Sequence, residues 1–166
     1  MSELSSTLGL PPPAFWHALA DAADRETLRW FRGGGLVGNK RAAVGDFDPV
    51  TEGDRGAERA IRQRLAEHYP DHAVLGEEEG ESGNGTWRWV IDPIDGTRAF
   101  VAGLPTWMTL IGLEHSGRAV AGLASQPVTG ERFVALGDGK AVLSAGAWAH
   151  RAAAPPPPFP PSGPDT

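Results

Sequence analysis

The chain has no cysteine among its 166 residues, which excludes disulfides, zinc–thiolate centres and any phosphocysteine intermediate. It also lacks an apolar run approaching the ~20 residues of a membrane span, and a basic start followed by an apolar core. No block of basic residues occurs, and the net charge is −6, which argues against nucleic acid as a partner. These absences together predict a soluble cytoplasmic protein with neither membrane nor nucleic acid among its partners. A chain this long suits one domain that buries about 68–70% of its unfolded surface.

What the chain does have is glycine and proline, 22 and 15 residues, unevenly spread. Residues 1–13 read as a flexible tail ending in Pro11-Pro12-Pro13. Residues 14–32 carry Phe15, Leu19, Ala22, Ala23 and Leu28 at roughly helical spacing, and Gly33-Gly34-Gly35 breaks the pattern. A short extended stretch follows near 36–44. A second helix starts around Asp54, places Ala57, Ile61 and Leu65 on one face, and stops at Pro70. From Ala73 onward strand signals dominate, at 73–75, 87–91, 106–113, 118–125 and 131–136. The resulting expectation is an α+β or α/β arrangement spanning 14–143, with helices packed on a mostly antiparallel sheet. Residues 144–166 are rich in Ala and Pro; since proline supplies no backbone donor, they are expected to be disordered.

The most informative stretch is Trp89-Val90-Ile91-Asp92-Pro93-Ile94-Asp95-Gly96-Thr97. An apolar strand delivers Asp92 and Asp95 on a turn stiffened by Pro93. Two carboxylates so placed suit a hard, oxygen-seeking cation such as Mg²⁺. Gly96 and Thr97 add exposed backbone N–H groups and a hydroxyl, a combination that points to phosphate chemistry. Asp, Pro and Gly are also ordinary turn residues, so the turn alone is weak evidence. Two further acidic clusters strengthen it: Ala73-Val74-Leu75 runs into Gly76-Glu77-Glu78-Glu79-Gly80, and Pro49-Val50-Thr51-Glu52-Gly53-Asp54 heads the second helix. Three acidic clusters at the ends of regular elements suggest one shared site.

Val50-Thr51-Glu52-Gly53-Asp54, Gly76-Glu77-Glu78 and the Trp89–Thr97 run occur in the order and at separations similar to the inositol monophosphatase family of Mg²⁺-dependent phosphomonoesterases. The resemblance covers about Phe15 to Lys140 and implies the N-terminal part of a layered αβαβα sugar-phosphatase fold. Thr97-Arg98-Ala99-Phe100, Gly103-Leu104-Pro105 and Phe47-Asp48-Pro49 further resemble the histidinol-phosphate phosphatase branch, where inositol phosphatases more often carry Thr-Asn-Phe after Gly-Thr.

The roles that follow are those the resemblance implies. Glu77, Asp92, Asp95 and the main-chain carbonyl of Ile94 hold two or more Mg²⁺ ions, with Asp92 as the bridge. Asp54 with Thr97 orients and deprotonates an attacking water, Glu77 acts from the same cluster, and the backbone N–H groups of Gly96 and Thr97 hold phosphate oxygens. Paired ions ~3.5–4 Å apart would clamp an in-line displacement at phosphorus, with no covalent enzyme intermediate. The substrate is a small phosphorylated metabolite, L-histidinol phosphate in histidine biosynthesis, with inositol 1-phosphate or a related phosphomonoester as the alternative. Family members commonly form homodimers.

Several readings compete. Thr51 and Asp54 have capping-box spacing, so Asp54 is also a helix-capping acid. Glu78 and Glu79 read as solvated or supporting acids, and Lys40 as either a site-approaching or a solvated lysine. The five histidines show no ligand spacing and are expected at surfaces or helix ends, and Trp87, Trp89 and Trp107 as packing residues. Phosphatases that form a phosphoaspartate carry their paired acids one residue apart, whereas Pro93 and Ile94 both separate Asp92 from Asp95. The family's second half carries a Trp-Asp block with a further metal ligand. Here Trp148 is followed by Ala149, so a premature stop or frameshift near 137–150 is expected, with a truncated, non-catalytic remnant that binds metal or a partner as the other possibility.

Overall fold

The computed structural model describes residues 9–33, 37–39, 49–137 and 141–143. Lys40 and the Ala/Pro-rich 144–166 lie outside the described residues. Helix α1 (Pro13–Trp30) opens with proline at its first position, where the missing N–H costs nothing. It buries Phe15, Trp16, Leu19, Ala20, Ala23 and Thr27 along one stripe. The expected face was right except at two points. Trp16 is fully buried, while Leu28 is 43% exposed, because it lies about 120° round the helix from Trp16 at 3.6 residues per turn. The helix also ends at Trp30 rather than residue 32: Phe31 turns to extended backbone and Arg32 adopts φ 59° before Gly33.

Strands β1 (Val37–Asn39) and β2 (Pro49–Thr51) form a small antiparallel pair. Helix α2 (Glu52–His68) follows β2 directly, and its first turn is closed by a capping box between Thr51 and Asp54. It buries Ala57, Ile61 and Leu65, then ends at Tyr69, ahead of Pro70, as a residue preceding proline must leave the helical region.

A seven-stranded sheet completes the fold: β3 (Ala73–Gly76), β4 (Gly80–Ser82), β5 (Trp87–Asp95), β6 (Met108–His115), β7 (Arg118–Gln126), β8 (Glu131–Leu136) and β9 (Ala141–Leu143). Its order is β4-β3-β5-β6-β7-β8-β9, antiparallel at every neighbouring pair except β3–β5, which is parallel. Both helices pack on one face. Trp89 and Ile91 of β5, Ile111 and Leu113 of β6, Leu123 of β7 and Val134 of β8 point into that layer and meet Trp16, Leu19, Ile61 and Leu65. The alternation of buried and half-buried residues along β6 is the period of a sheet with one covered face. β4, β9 and the short helix α3 (Thr97–Val101) were not foreseen, since each is only three to five residues long.

Candidate active site

The parallel pairing of β3 with β5 builds the site. Gly76 stands opposite Ile91, and the Glu77 N–H continues that ladder by donating to the Ile91 carbonyl at 3.2 Å. Glu77, just past β3, and Asp92, within β5 and fifteen positions away in sequence, therefore lie side by side.

Beyond Asp92 the β5–β6 register slips before Asp95 pairs with Met108, because Pro93 offers no N–H to the ladder. Such an irregularity re-aims side chains. Two contacts hold it. The Pro93 carbonyl accepts from the buried Thr109 hydroxyl at 2.8 Å, and Ile94 packs its side chain into a second apolar cluster with Phe100 and Trp107. Gly96, at φ 91°, then turns the chain into α3, and a Cβ there would press on the Thr106 carbonyl. This is a position that glycine alone fills without strain.

Asp54 arrives from α2. Its Oδ2 accepts from the Thr51 N–H at 2.7 Å and the Thr51 hydroxyl at 2.5 Å, and the side chain is buried. Capping is therefore a role Asp54 fills in this fold. The Thr97 hydroxyl has one proton, and it is donated to the Ile94 carbonyl at 3.0 Å. Asp54 receives the Thr51 hydroxyl because the capping box brings that group within the same helical turn.

The electrostatics identify the centre of the cluster. The Asp92 carboxyl is pushed up to about 7, first by burial, then by the neighbouring charges of Glu77, Asp95 and Asp54 and by a hydrogen bond with Glu77. Its Oδ1 is buried with no hydrogen-bond partner. Glu77 and Asp95 are exposed, so the cluster opens to solvent on that side. Among the described residues no three acidic or histidine side chains converge at ligating distance. Three carboxylates neighbouring one orphaned, buried carboxylate oxygen are nonetheless an arrangement that a divalent cation would relieve. The residues present fit Mg²⁺.

A profile of the inositol monophosphatase family matches residues 18–155. The chain belongs to the inositol monophosphatase family. Members of this family are phosphatases, and the match extends past Lys140, where the motif resemblance ends. The chain is 45% identical over 126 residues to the histidinol-phosphatase of Streptomyces coelicolor, covering 74% of this chain and 46% of that one. It is 37% identical over 113 residues to the inositol-1-monophosphatase of Rhizobium meliloti, covering 66% of this chain and 42% of that one. The extragenic suppressor protein suhB of Bartonella henselae superposes with a TM-score of 0.70 at 31% identity, covering 79% of this chain and 52% of that one. The chain thus spans about half the length of the relatives it matches. The expected fold, the N-terminal part of this family's layered architecture with helices on a mostly antiparallel sheet, is the one observed.

Several supporting residues escaped the sequence reading. Thr109 reads as one more strand threonine until its Pro93 partner is known. Glu58 and Arg62, an i,i+4 pair on α2, were not singled out, yet Glu58 is fully buried beneath the Glu77–Glu79 turn. His72, like the other histidines, was expected at a surface or a helix end. Instead it accepts a hydrogen bond from the Trp89 indole at 3.0 Å and stacks on Trp87 at 5.7 Å. Trp89 and Trp107 are buried packing residues, as expected.

Proposed function

We propose that this chain contributes the metal-binding half of a phosphomonoesterase site, and that the substrate is L-histidinol phosphate. The observation that carries the reading is the orphaned, buried Asp92 oxygen surrounded by Glu77, Asp95 and Asp54 at the mouth of the sheet. Glu77, Asp92, Asp95 and the Ile94 carbonyl would hold the metal. When bound, Mg²⁺ supplies Lewis-acid stabilisation of phosphate oxygens and lowers the pKa of water.

The chain's own groups do the rest. Asp54, anchored by Thr51, sets a buried negative charge that favours a proton leaving an attacking water. The Thr97 hydroxyl, already fixed by the Ile94 carbonyl, accepts from that water through its free lone pair and so orients it. The N–H groups of Gly96 and Thr97 head a helix, where backbone donors lack intrahelical partners, and would be free to donate to phosphate oxygens.

The choice of substrate rests on Arg98-Ala99-Phe100 after Gly96-Thr97 and on the 45% identity to the Streptomyces histidinol-phosphatase. The identity to the Rhizobium inositol-1-monophosphatase supports inositol 1-phosphate as the second reading. Phosphate release by the purified chain, with Mg²⁺ and either ester, discriminates them. Release from histidinol phosphate that is lost in Asp92→Asn is expected. Faster release from inositol 1-phosphate would transfer the assignment, and no release from either by folded protein would leave a metal-binding remnant.

A further inference from the structure

The turn that carries Glu77 contains three successive glutamates, Glu77-Glu78-Glu79, and like charges on adjacent residues do not favour a tight turn. What holds it lies underneath, on α2. The Glu58 carboxylate is fully buried and occupied at both oxygens. Oε2 accepts from the Glu78 N–H at 2.7 Å, and Oε1 accepts from the Glu79 N–H at 3.1 Å and from Arg62 Nε at 2.8 Å. Arg62 spreads its remaining donors over the far strand of the hairpin, to the Ser82 hydroxyl at 2.8 Å and the Gly80 carbonyl at 2.5 Å. Space for the carboxylate is made by Gly76, where a Cβ would overlap it.

The Glu77 main chain is therefore tied on both sides: its own N–H goes to Ile91 on β5, and the next two N–H groups go to Glu58 on α2. Stability alone does not require this design. A buried ion pair replaced by apolar residues of similar volume is often neutral or stabilising. A carboxylate that accepts two consecutive backbone N–H groups, by contrast, sets the orientation of the peptide planes beside it.

We propose that Glu58, held by Arg62, is a positioning residue that fixes the Glu77–Glu79 turn and so presents the Glu77 carboxylate beside Asp92 for a divalent cation. The inference rests on the metal-binding reading of the site. It assigns to Glu58 no contact with substrate or metal.

The test is Glu58→Gln in the full chain. The glutamine amide keeps the size of the side chain but replaces one acceptor with a donor, so in either orientation of the amide at least one turn N–H faces an N–H. Mg²⁺ affinity is read by calorimetry with the metal alone, and order in the turn by amide hydrogen exchange at Glu78 and Glu79. The expected result is a Mg²⁺ dissociation constant raised about 10- to 100-fold, the range for residues that orient metal ligands. Faster exchange confined to the turn should accompany it, with wild-type protection retained in β5–β7. Unchanged Mg²⁺ affinity overturns the proposal, whatever happens to the melting temperature. If Glu58→Gln does not fold, Arg62→Lys serves, since it keeps the charge and loses the fork to Ser82 and Gly80; several-fold weaker Mg²⁺ binding supports the proposal and wild-type binding overturns it. Wild-type protein that fails to bind Mg²⁺ overturns this inference together with the proposed function. Wild-type protein that binds Mg²⁺ yet releases no phosphate sinks only the catalytic reading.

Discussion

Asp92 carries a cost that only a ligand removes. Its carboxyl titrates near 7 in the fold against an ordinary value of 3.8, so the folded state holds the proton more tightly than the unfolded one. Stability from this group is complete below about pH 3.8 and is lost as pH rises through about 7. Asp92→Asn should therefore raise the melting temperature of the metal-free protein at pH 8 while abolishing Mg²⁺-dependent phosphate release; calorimetry in EDTA checks the first and the phosphate assay the second. A variant less stable than wild type at that pH would show that the cluster is not repulsive. His72 works in the opposite direction. Burial holds its imidazole below 6.5, and the ring accepts from Trp89 through a nitrogen that protonation would occupy. Its contribution is present above pH 6.5 and fades as pH falls through its lower folded value. His72→Phe should flatten that limb of the melting-temperature profile, measured as the difference from wild type, and an unchanged difference across the acid range would argue against it.

At the scale of elements, the site depends on a strand that stops being regular at the right place. Pro93 interrupts the β5–β6 ladder, and Thr109 takes up the Pro93 carbonyl from the facing strand. Thr109→Val keeps the shape and leaves that carbonyl unsatisfied, an error of about 1–3 kcal/mol. Both a lower midpoint in urea and weaker Mg²⁺ binding are expected, since the same carbonyl borders Asp92 and Ile94; loss of stability with unaltered Mg²⁺ affinity would confine Thr109 to packing. Much of this element was readable beforehand. The Trp89–Thr97 run announced a strand ending in paired acids, and Thr51 with Asp54 announced a capped helix. What was not readable was partnership across elements. Thr109, Glu58 and His72 have no local pattern that distinguishes them from ordinary strand, helix and loop residues, because their partners lie 16, 20 and 17 positions away.

For the whole molecule, the main core under one sheet face carries both helices. Leu113 is fully buried in it, and Leu113→Ala should lower unfolding free energy by about 2–5 kcal/mol in a denaturant titration. The same global transition should report ligand binding. Mg²⁺ at a hundred times its dissociation constant would add about 2.7 kcal/mol to wild type and nothing to Asp92→Asn. Equal shifts in both proteins would place the bound metal elsewhere.

The sequence by itself determined the family, the two helices with their capping and stop signals, and the strand that carries Asp92. These are local: each depends on side-chain type and spacing within a run of about ten residues. Only the tertiary structure decided that β3 lies parallel to β5, which sets Glu77 beside Asp92. It alone placed a buried glutamate under the Glu77 turn, and gave the Thr51 hydroxyl to Asp54. Pairing between distant segments follows from the burial of a shared core and from which backbone groups remain to be satisfied, and neither quantity exists until the chain has folded.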